Sequence, residues 1–204
     1  MQRIVVPGEK IHDTQIRIDN TITDRNGTYS CILGYFDDER KVLTPLEGLW
    51  NPRPGDTVIG VVEEDRGTTL TINLNAPYKG LALTKFLEAE ISANDIIVAN
   101  VKVLEKGGTI VLLKPTPLRG GKLMSIKPSR IPRIIGKNST MIKQITDATA
   151  TSVIIGLNGL IWMKGGDIDL ATQAILKVGE EAHTTGLTER IKTMLEQGRN
   201  NKVQ

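Results

Sequence analysis

The chain has 204 residues and a formal net charge of only +3, so its length allows two or three small domains and its overall charge identifies no class of partner. Cys31 is the only cysteine, which excludes an intramolecular disulfide and favours a reducing compartment. No apolar run approaches the roughly 20 residues that span a bilayer, and the first ten residues lack the apolar core of a signal peptide. We therefore expect a soluble, cytoplasmic protein without a membrane contact.

Residues 1–51 carry short runs that are typical of β-strands. Turn-forming residues separate the runs, and the Asn26-Gly27 pair between two of them is a hairpin signal. A piece of this size buries little core by itself, so we expect this N-terminal β domain to pack on a neighbour or on another chain. The predicted strands are 3–6, 15–18, 28–33 and 41–43.

The second piece, 52–117, is bounded by two proline-containing breaks at 51–55 and 114–117. Because proline fixes φ and removes a hydrogen-bond donor, neither break is expected inside a regular element. Five short strands between the breaks fit a small barrel, of which the OB-fold is the commonest kind and often binds oligonucleotides. The predicted strands are 57–62, 68–74, 80–83, 96–104 and 109–113.

The third piece, 118–204, mixes helical and strand patterns. Asp167 or Asp169 is expected to cap its third helix, and Trp162 is expected in its core. The predicted order is strand 122–127, helix 129–135, turn 136–139, helix 140–148, strands 151–157 and 160–164, and helices from about 167 to 182 and 187 to 197. The fold class is therefore multidomain, β-rich at first and then α+β.

Positive charge is concentrated between Glu105 and Asp147. This interval holds nine Lys and Arg residues and no acid, in a chain that is otherwise slightly acidic. Clustered cations are the electrostatic footprint of a polyanion partner, although a solvated basic face is the alternative. The interval contains no aromatic residue, so binding there should rest on phosphates and select little between bases. The cations are Lys106, Lys114, Arg119, Lys122, Lys127, Arg130, Arg133, Lys137 and Lys143.

The turn Gly136-Lys137-Asn138-Ser139 is not a nucleotide-binding loop of the Walker type. That loop needs a glycine five residues before its Gly-Lys pair and a Ser or Thr directly after the lysine. Ile131 and Asn138 occupy those two positions.

The same turn fits the binding of a nucleic-acid chain better. A turn between two helices presents backbone amides and the positive end of the second helix to phosphate. Arg130, Arg133 and Lys143 flank it. A KH domain clamps about four nucleotides of single strand through a Gly-x-x-Gly loop in this place, whereas here Ser139 takes the fourth position. A plain helix–helix turn with solvated lysines remains the alternative.

Other residues are weaker candidates. Arg66 and Lys79 lie in or beside expected barrel loops, and Tyr78 is either a base-stacking residue or core. Asn158 is either a hairpin residue or a ligand contact. The acidic cluster 63–65 is read as an exposed turn, with magnesium binding as the alternative. No cysteine accompanies either histidine, no set of residues has the spacing of a four-ligand zinc site, and no catalytic triad is apparent, so no cofactor, metal site or enzyme activity is expected.

Five short motifs occur in a fixed order along almost the whole chain. Together they resemble the RNA-binding cap subunits of the archaeal exosome, and the Gly-x-Asn-Gly-x-Ile-Trp element is the most specific of them. The motifs lie at 5–9, 54–60, 72–78, 134–137 and 156–162.

The resemblance implies an N-terminal β domain (1–51), a central OB-fold of the ribosomal-protein-S-one type (52–117) and a C-terminal KH domain (118–204). It implies a threefold cap of such subunits on a hexameric ring of phosphorolytic, RNase PH-like subunits, which residues 1–51 would contact. The cap subunits are not nucleases; they gather single-stranded RNA at the pore and aid processive 3′-to-5′ decay. The expected RNA-binding residues are Arg66, Tyr78, Lys79, Lys122, Arg130, Arg133, Gly136, Lys137, Asn138, Ser139, Lys143 and Asn158.

Ser139 departs from the general KH loop, which shifts the expected RNA contacts from the KH turn towards the basic residues of the barrel. Two other functions stay open from the sequence. One is a monomeric transcription or translation factor with OB and KH modules. The other is a scaffold that only holds the ring together, with its basic strip against a protein.

Overall fold

The computed structural model describes residues 2–45, 48–87, 89–105, 107–181 and 186–200. The chain forms two compact units, Met1–Gly48 and Leu49–Gln204. The second unit contains both a barrel and an α+β part, so the three-domain boundaries at 51/52 and 117/118 stay a prediction. In the described ranges, none of the helices combines the length and the apolar character needed to cross a membrane.

The first unit consists of two antiparallel sheets of three strands, ordered β1-β5-β6 and β2-β4-β3. Val5, Ile11, Phe36 and Leu43 form its small core. The strands are β1 (Gln2–Val5), β2 (Lys10–His12), β3 (Thr21–Asp24), β4 (Gly27–Ser30), β5 (Gly34–Asp37) and β6 (Val42–Pro45).

The hairpin expected around Asn26-Gly27 is present, because β3 and β4 pair from Asp24 and Gly27 outwards. The strand predicted at 15–18 is wrong. The hydroxyl of buried Thr28 donates to the carbonyl of Thr14 at 2.8 Å and accepts from the amide of Ile16 at 2.9 Å. A side chain thus takes the place of a strand ladder at this segment, which an apolar alternation cannot reveal.

The first half of the second unit is a closed five-stranded barrel, as predicted, in the order β10-β11-β9-β8-β7. Only the β9–β11 contact is parallel, and the β7–β10 pairing closes the wall. The barrel core is mainly aliphatic and includes the fully buried Leu70, Ile72 and Ile110, with Trp50 as its buried aromatic residue. The strands are β7 (Thr57–Asp65), β8 (Thr69–Asn73), β9 (Lys79–Leu83), β10 (Ile96–Leu104) and β11 (Thr109–Pro117).

The break predicted at 114–117 is wrong, because β11 continues through Pro115 to Pro117. Only the first three residues of β11 pair with β9. The rest of β11 is paired with β10 alone. A register shift between Val98 and Asn100 of β10 accommodates an extra residue at this place. Proline is tolerated at such edges and bulges, where no donor is needed.

The second half of this unit has the predicted order of strands and helices. A three-stranded antiparallel sheet, β12-β14-β13, packs against helices whose core includes Ile131, Ile134, Ile145 and Ile175. The elements are β12 (Lys122–Ser125), α1 (Ile131–Ile135), α2 (Thr140–Thr149), β13 (Ser152–Ile155), β14 (Leu160–Lys164), α3 (Ile168–Glu180) and α4 (Leu187–Asn200).

Asp167 caps α3 by accepting from the amide of Leu170 at 3.1 Å, which selects it over Asp169. The helix was predicted to end at about Ala182, which lies outside the described residues.

β14 is buried on both faces, and this places the α+β part against the barrel. Ile161 and Met163 belong to the core under the helices, whereas Leu160 and Trp162 pack with Ile59 of the barrel. Successive strand residues point to opposite faces, so the unbroken apolar run of β14 serves two cores at once.

Candidate nucleic-acid interface

The turn between α1 and α2 is exposed and has an unusual backbone. Gly136, Asn138 and Ser139 have φ values of 74°, 51° and 60°, and Lys137–Ser139 forms a 3₁₀ turn. A non-glycine residue in the left-handed region loses on the order of 1 kcal/mol, and this turn contains two in succession. Strain of this kind persists where the surrounding structure or a ligand contact requires it.

Gly136 is required by close packing as well as by its φ. A β-carbon at this position would lie 2.7 Å from the β-carbon and 2.9 Å from the nitrogen of Met141. Met141 is buried in the core, so it cannot move aside easily. The glycine therefore allows α2 to begin directly beside the end of α1.

Ser139 is the residue that precedes α2, but its side chain does not cap the helix. An N-cap residue is normally extended, which brings its hydroxyl to the amides of the first turn. Ser139 instead has φ 60° and ψ 21°, and the hydroxyl of Thr140 donates to the carbonyl of Lys137 at 2.8 Å. The positive end of α2 is therefore presented at the surface without a hydroxyl cap from Ser139.

Four predicted cations lie on the consecutive segments that form this turn. Lys137 and Lys143 are exposed, as is Arg133, and Arg130 is half-buried. The short helical segment before α1, α1 itself, the turn and α2 pack against one another in succession. None of α1, the turn and α2 has an acid in its first helical turn. The structure thus keeps Arg130, Arg133 and the two lysines around the exposed helix end.

Two further cations of the basic interval have partners outside the turn. Lys122 begins β12 and forms an ion pair with Asp169, with Nζ 3.6 Å from Oδ1. The guanidinium of Arg119 donates to the carbonyl of Glu90 at 3.0 Å. Lys106 lies outside the described residues. The basic interval is therefore one strip in sequence but not one surface in space.

The two barrel cations are paired with acids. Nε and Nη2 of Arg66 lie 2.9 and 2.7 Å from the same carboxylate oxygen of Glu64. The ammonium of Lys79 donates to Oε2 of Glu63, whose Oε1 accepts from the side-chain Nδ2 of Asn73 at 3.0 Å. The hydrogen bond from Lys79, with a further one from Asn73, holds the pKa of Glu63 below its ordinary value. Each pair has little net charge, so the barrel surface is less positive than its lysine and arginine suggest.

The structure does not bring Arg66 and Lys79 together. The amide of Arg66 donates to the carbonyl of Thr69, at the first residue of β8. Lys79 pairs with Asn73, at the last residue of the same strand. The two cations therefore lie at opposite ends of β8, and one phosphate cannot contact both.

The ring of Tyr78 is half-buried and packs on the barrel core. Its Cδ1 lies close to Gly108, since a β-carbon added to that glycine would be 3.7 Å away. Part of the ring thus packs against the barrel, and the rest is exposed to solvent.

Asn158 was predicted as an RNA contact, and the structure corrects this. The residue is 1% exposed. Its Nδ2 donates to the carbonyls of Ile59 and Leu74, both at 2.7 Å, and its Oδ1 accepts from the amide of Ile59 at 3.2 Å. Every polar group of the side chain is used to join the barrel to the α+β part. We therefore leave Asn158 out of the proposed RNA surface.

Sequence reasoning missed the acids that neutralise the barrel cations. The cluster Glu63-Glu64-Asp65 ends β7, and its three carboxylates have different partners. Glu63 contacts Lys79, Glu64 contacts Arg66, and Asp65 accepts from the amide of Gly67 at 2.8 Å. The sequence did contain a local signal for the Glu64–Arg66 pair, because the two residues are only two positions apart.

Comparison with known proteins agrees with this architecture. A family model described as KH domain matches residues 121–169. A crystal structure described as that of a proposed exosome complex RNA-binding protein superposes with a TM-score of 0.69 at 25% identity, covering 76% of this chain and 99% of that one.

Curated relatives extend the likeness over nearly the full length. Exosome complex component Rrp4 of Thermococcus kodakarensis is 35% identical, with 95% of this chain and 85% of the relative aligned. The protein of the same name from Picrophilus torridus is 36% identical, with 96% and 93% aligned. On this identity and coverage, the chain belongs to the family of exosome complex component Rrp4.

Proposed function

We propose that this chain is a non-catalytic, RNA-binding subunit of an exosome. Three copies would form a cap on a hexameric ring of RNase PH-like subunits and lead single-stranded RNA to the pore, in the cytoplasm and without a metal or other cofactor. Membership of the Rrp4 family and the KH domain support the assignment to an exosome. The observation that carries the RNA-binding role is the exposed, left-handed turn at 136–139 inside an acid-free basic segment.

The turn offers the two kinds of group that phosphate prefers. The first-turn amides of α2 provide fixed partial positive charge, and Lys137 provides a mobile one. Arg133 and Lys143 are exposed on either side for neighbouring phosphates. Since the segment has no aromatic residue for stacking, the contact should follow the sugar-phosphate chain and depend little on base identity.

Because the barrel cations form ion pairs, we expect the main RNA contacts at this turn and not at the barrel. Arg66 and Lys79 must leave Glu64 and Glu63 before they can neutralise phosphate. Ser139, in contrast, adopts the left-handed backbone despite its β-carbon. We therefore assign the principal phosphate contacts to the turn and a secondary role to the barrel with Tyr78.

The N-terminal unit offers a surface for the ring. Ile4 and Val42 are 55% and 49% exposed on the outer face of sheet β1-β5-β6. In the register of the central strand, Ile4 lies opposite Tyr35 and Val42 lies opposite Asp37. Their chain neighbours Val5 and Leu43 are buried on the inner face. Exposed apolar patches of this kind mark protein contacts, and the ring is the partner we propose.

The test compares RNA capture by the ring alone, by the ring with this chain, and by the ring with the Arg130→Ala, Arg133→Ala, Lys137→Ala variant. We expect the wild-type chain to raise capture and the variant to assemble normally but lose most of the gain. A matched control removes three exposed cations elsewhere in the second unit, Lys102, Lys164 and Lys192, and should behave as wild type. Normal capture by an assembled turn variant would instead favour a scaffold, and a chain that remains monomeric beside the ring would favour a free RNA-binding factor.

A further inference from the structure

Lys79 is held by a carboxylate that is itself fixed. Both carboxylate oxygens of Glu63 accept a hydrogen bond, one from the side-chain Nδ2 of Asn73 and the other from the ammonium of Lys79. The Glu63 side chain is 33% exposed, whereas that of Lys79 is 60% exposed. Because Glu63 is anchored on the strand and Lys79 is long and solvated, the lysine is the partner that can leave.

Lys79 is an exposed cation at the first residue of a barrel strand. It begins β9 and is paired on one side with Asn73 of β8 and on the other with Thr109 of β11. The half-buried ring of Tyr78 directly precedes it. A phosphate on Lys79 would therefore lie at the end of β9 where the chain also carries an aromatic residue.

We propose that Glu63 is an internal competitor of RNA for Lys79, so that it sets the affinity of the barrel for a single-stranded nucleic acid. This inference rests on the proposed function. In the free chain the Glu63 carboxylate occupies the ammonium that phosphate would take. RNA binding at the barrel exchanges one ion pair for another, which yields little affinity per copy. A weak barrel site suits a strand that must keep moving past it.

The Arg66–Glu64 pair differs in this respect. Both of its side chains are largely exposed, and the exposed fractions are 70% and 55%. The carboxylate of Glu64 has no contact corresponding to the Asn73 bond among the described residues. Solvent screens such a pair strongly, so Glu64 should compete less well than Glu63.

The experiment measures binding of the full chain to labelled single-stranded RNA of mixed sequence over a range of salt concentrations. For Glu63→Gln we expect affinity to rise on the order of threefold, as for release of an exposed ion pair. The salt slope should steepen by about 0.7, which corresponds to one added phosphate contact on a single strand. Asp38→Asn is the matched control, because it changes net charge equally and breaks a Lys–Asp pair, that with Lys41, in the other unit.

A double variant separates competition for Lys79 from a structural role of Glu63. In chains that already carry Lys79→Ala, adding Glu63→Gln should no longer raise the RNA affinity or steepen the salt slope. If the Glu63–Lys79 bond were only structural, Glu63→Gln would lower the melting temperature and leave RNA affinity and slope unchanged. Unchanged affinity and slope in Glu63→Gln, with affinity still lost in the turn variant, would overturn the competitor role and leave the proposed function intact. Wild-type chain that binds no RNA at all would overturn the proposed function itself.

Discussion

At the scale of single residues, the left-handed backbone at Ser139 is the feature that most needs an explanation. Its side chain does not cap α2, so the hydroxyl provides no local compensation of that kind for the strain. The conformation instead turns the backbone of 136–139 towards solvent at the end of a helix. Backbone strain that no local hydrogen bond offsets is characteristic of functional turns.

Ser139→Gly should therefore improve both stability and RNA binding. Glycine relieves the left-handed penalty of about 1 to 2 kcal/mol but loses part of this gain, on the order of 0.5 kcal/mol, through the freer unfolded chain. Removal of the β-carbon also allows closer approach of a sugar-phosphate. Urea unfolding and RNA titration measure the two effects. Ser152→Gly, at an exposed strand position without positive φ, should be destabilising, and a similar loss in Ser139→Gly would contradict the account.

Asn158→Ala tests the corrected role of that residue. The change leaves the amide of Ile59 and the carbonyls of Ile59 and Leu74 without their partner. Buried unsatisfied groups cost about 1 to 3 kcal/mol each, so we expect a loss on the order of 3 kcal/mol in thermal unfolding. Asn100→Ala, at an exposed residue with one bond to Thr57, should cost under about 0.5 kcal/mol. Equal losses in the two variants would refute the junction role.

At the scale of elements, the approach of α1 to α2 depends on a residue without a side chain. Gly136 and Gly186 have nearly the same φ, 74° and 73°, but only Gly136 is crowded. Gly136→Ala should lower the free energy of unfolding for two reasons, the backbone strain at positive φ and the clash with Met141. Gly186→Ala should lower it through the backbone strain alone. We expect a difference of more than about 1 kcal/mol in denaturant unfolding, with RNA binding lost only in Gly136→Ala. Identical effects would show that the close contact is unimportant.

Local patterns predicted most of these elements, and the failures have definite physical causes. Alternating apolar residues and turn signals were sufficient for the barrel strands and for the order of the α+β part. The partners of Asn158 lie 84 and 99 residues away in sequence, so no local pattern could assign them. The strand through Pro115 and Pro117 depended on where β9 ends, which is a property of the closed barrel. Thr28 similarly acts through a side-chain bond across a loop.

At the scale of the whole molecule, weak sites can still hold a strand if several act together. Three copies around one axis would raise the effective concentration of each site for an RNA already bound to another. This arrangement requires the N-terminal units to dock on a common ring.

Ile4→Asp with Val42→Asp tests this docking. Both side chains are exposed, so the fold should tolerate the charges, while burial of an unpaired carboxylate in an interface would disrupt it. We expect native mass spectrometry to show three wild-type chains per ring and none of the double variant, with an unchanged melting temperature. Leu176→Asp, at an exposed apolar residue of α3, is the control and should assemble. Normal assembly of the double variant would place the ring contact on another surface.

The central claim is that cations around the KH turn hold the sugar-phosphate chain of RNA. Its most direct test is the RNA affinity of the full chain as a function of salt concentration, with and without Arg130, Arg133 and Lys137. The account predicts a linear fall of log affinity with log salt, and a slope shallower by about 2 in the triple alanine variant, at about 0.7 per lost contact. An affinity that stays flat with salt, or a slope that the three substitutions leave unchanged, would contradict it.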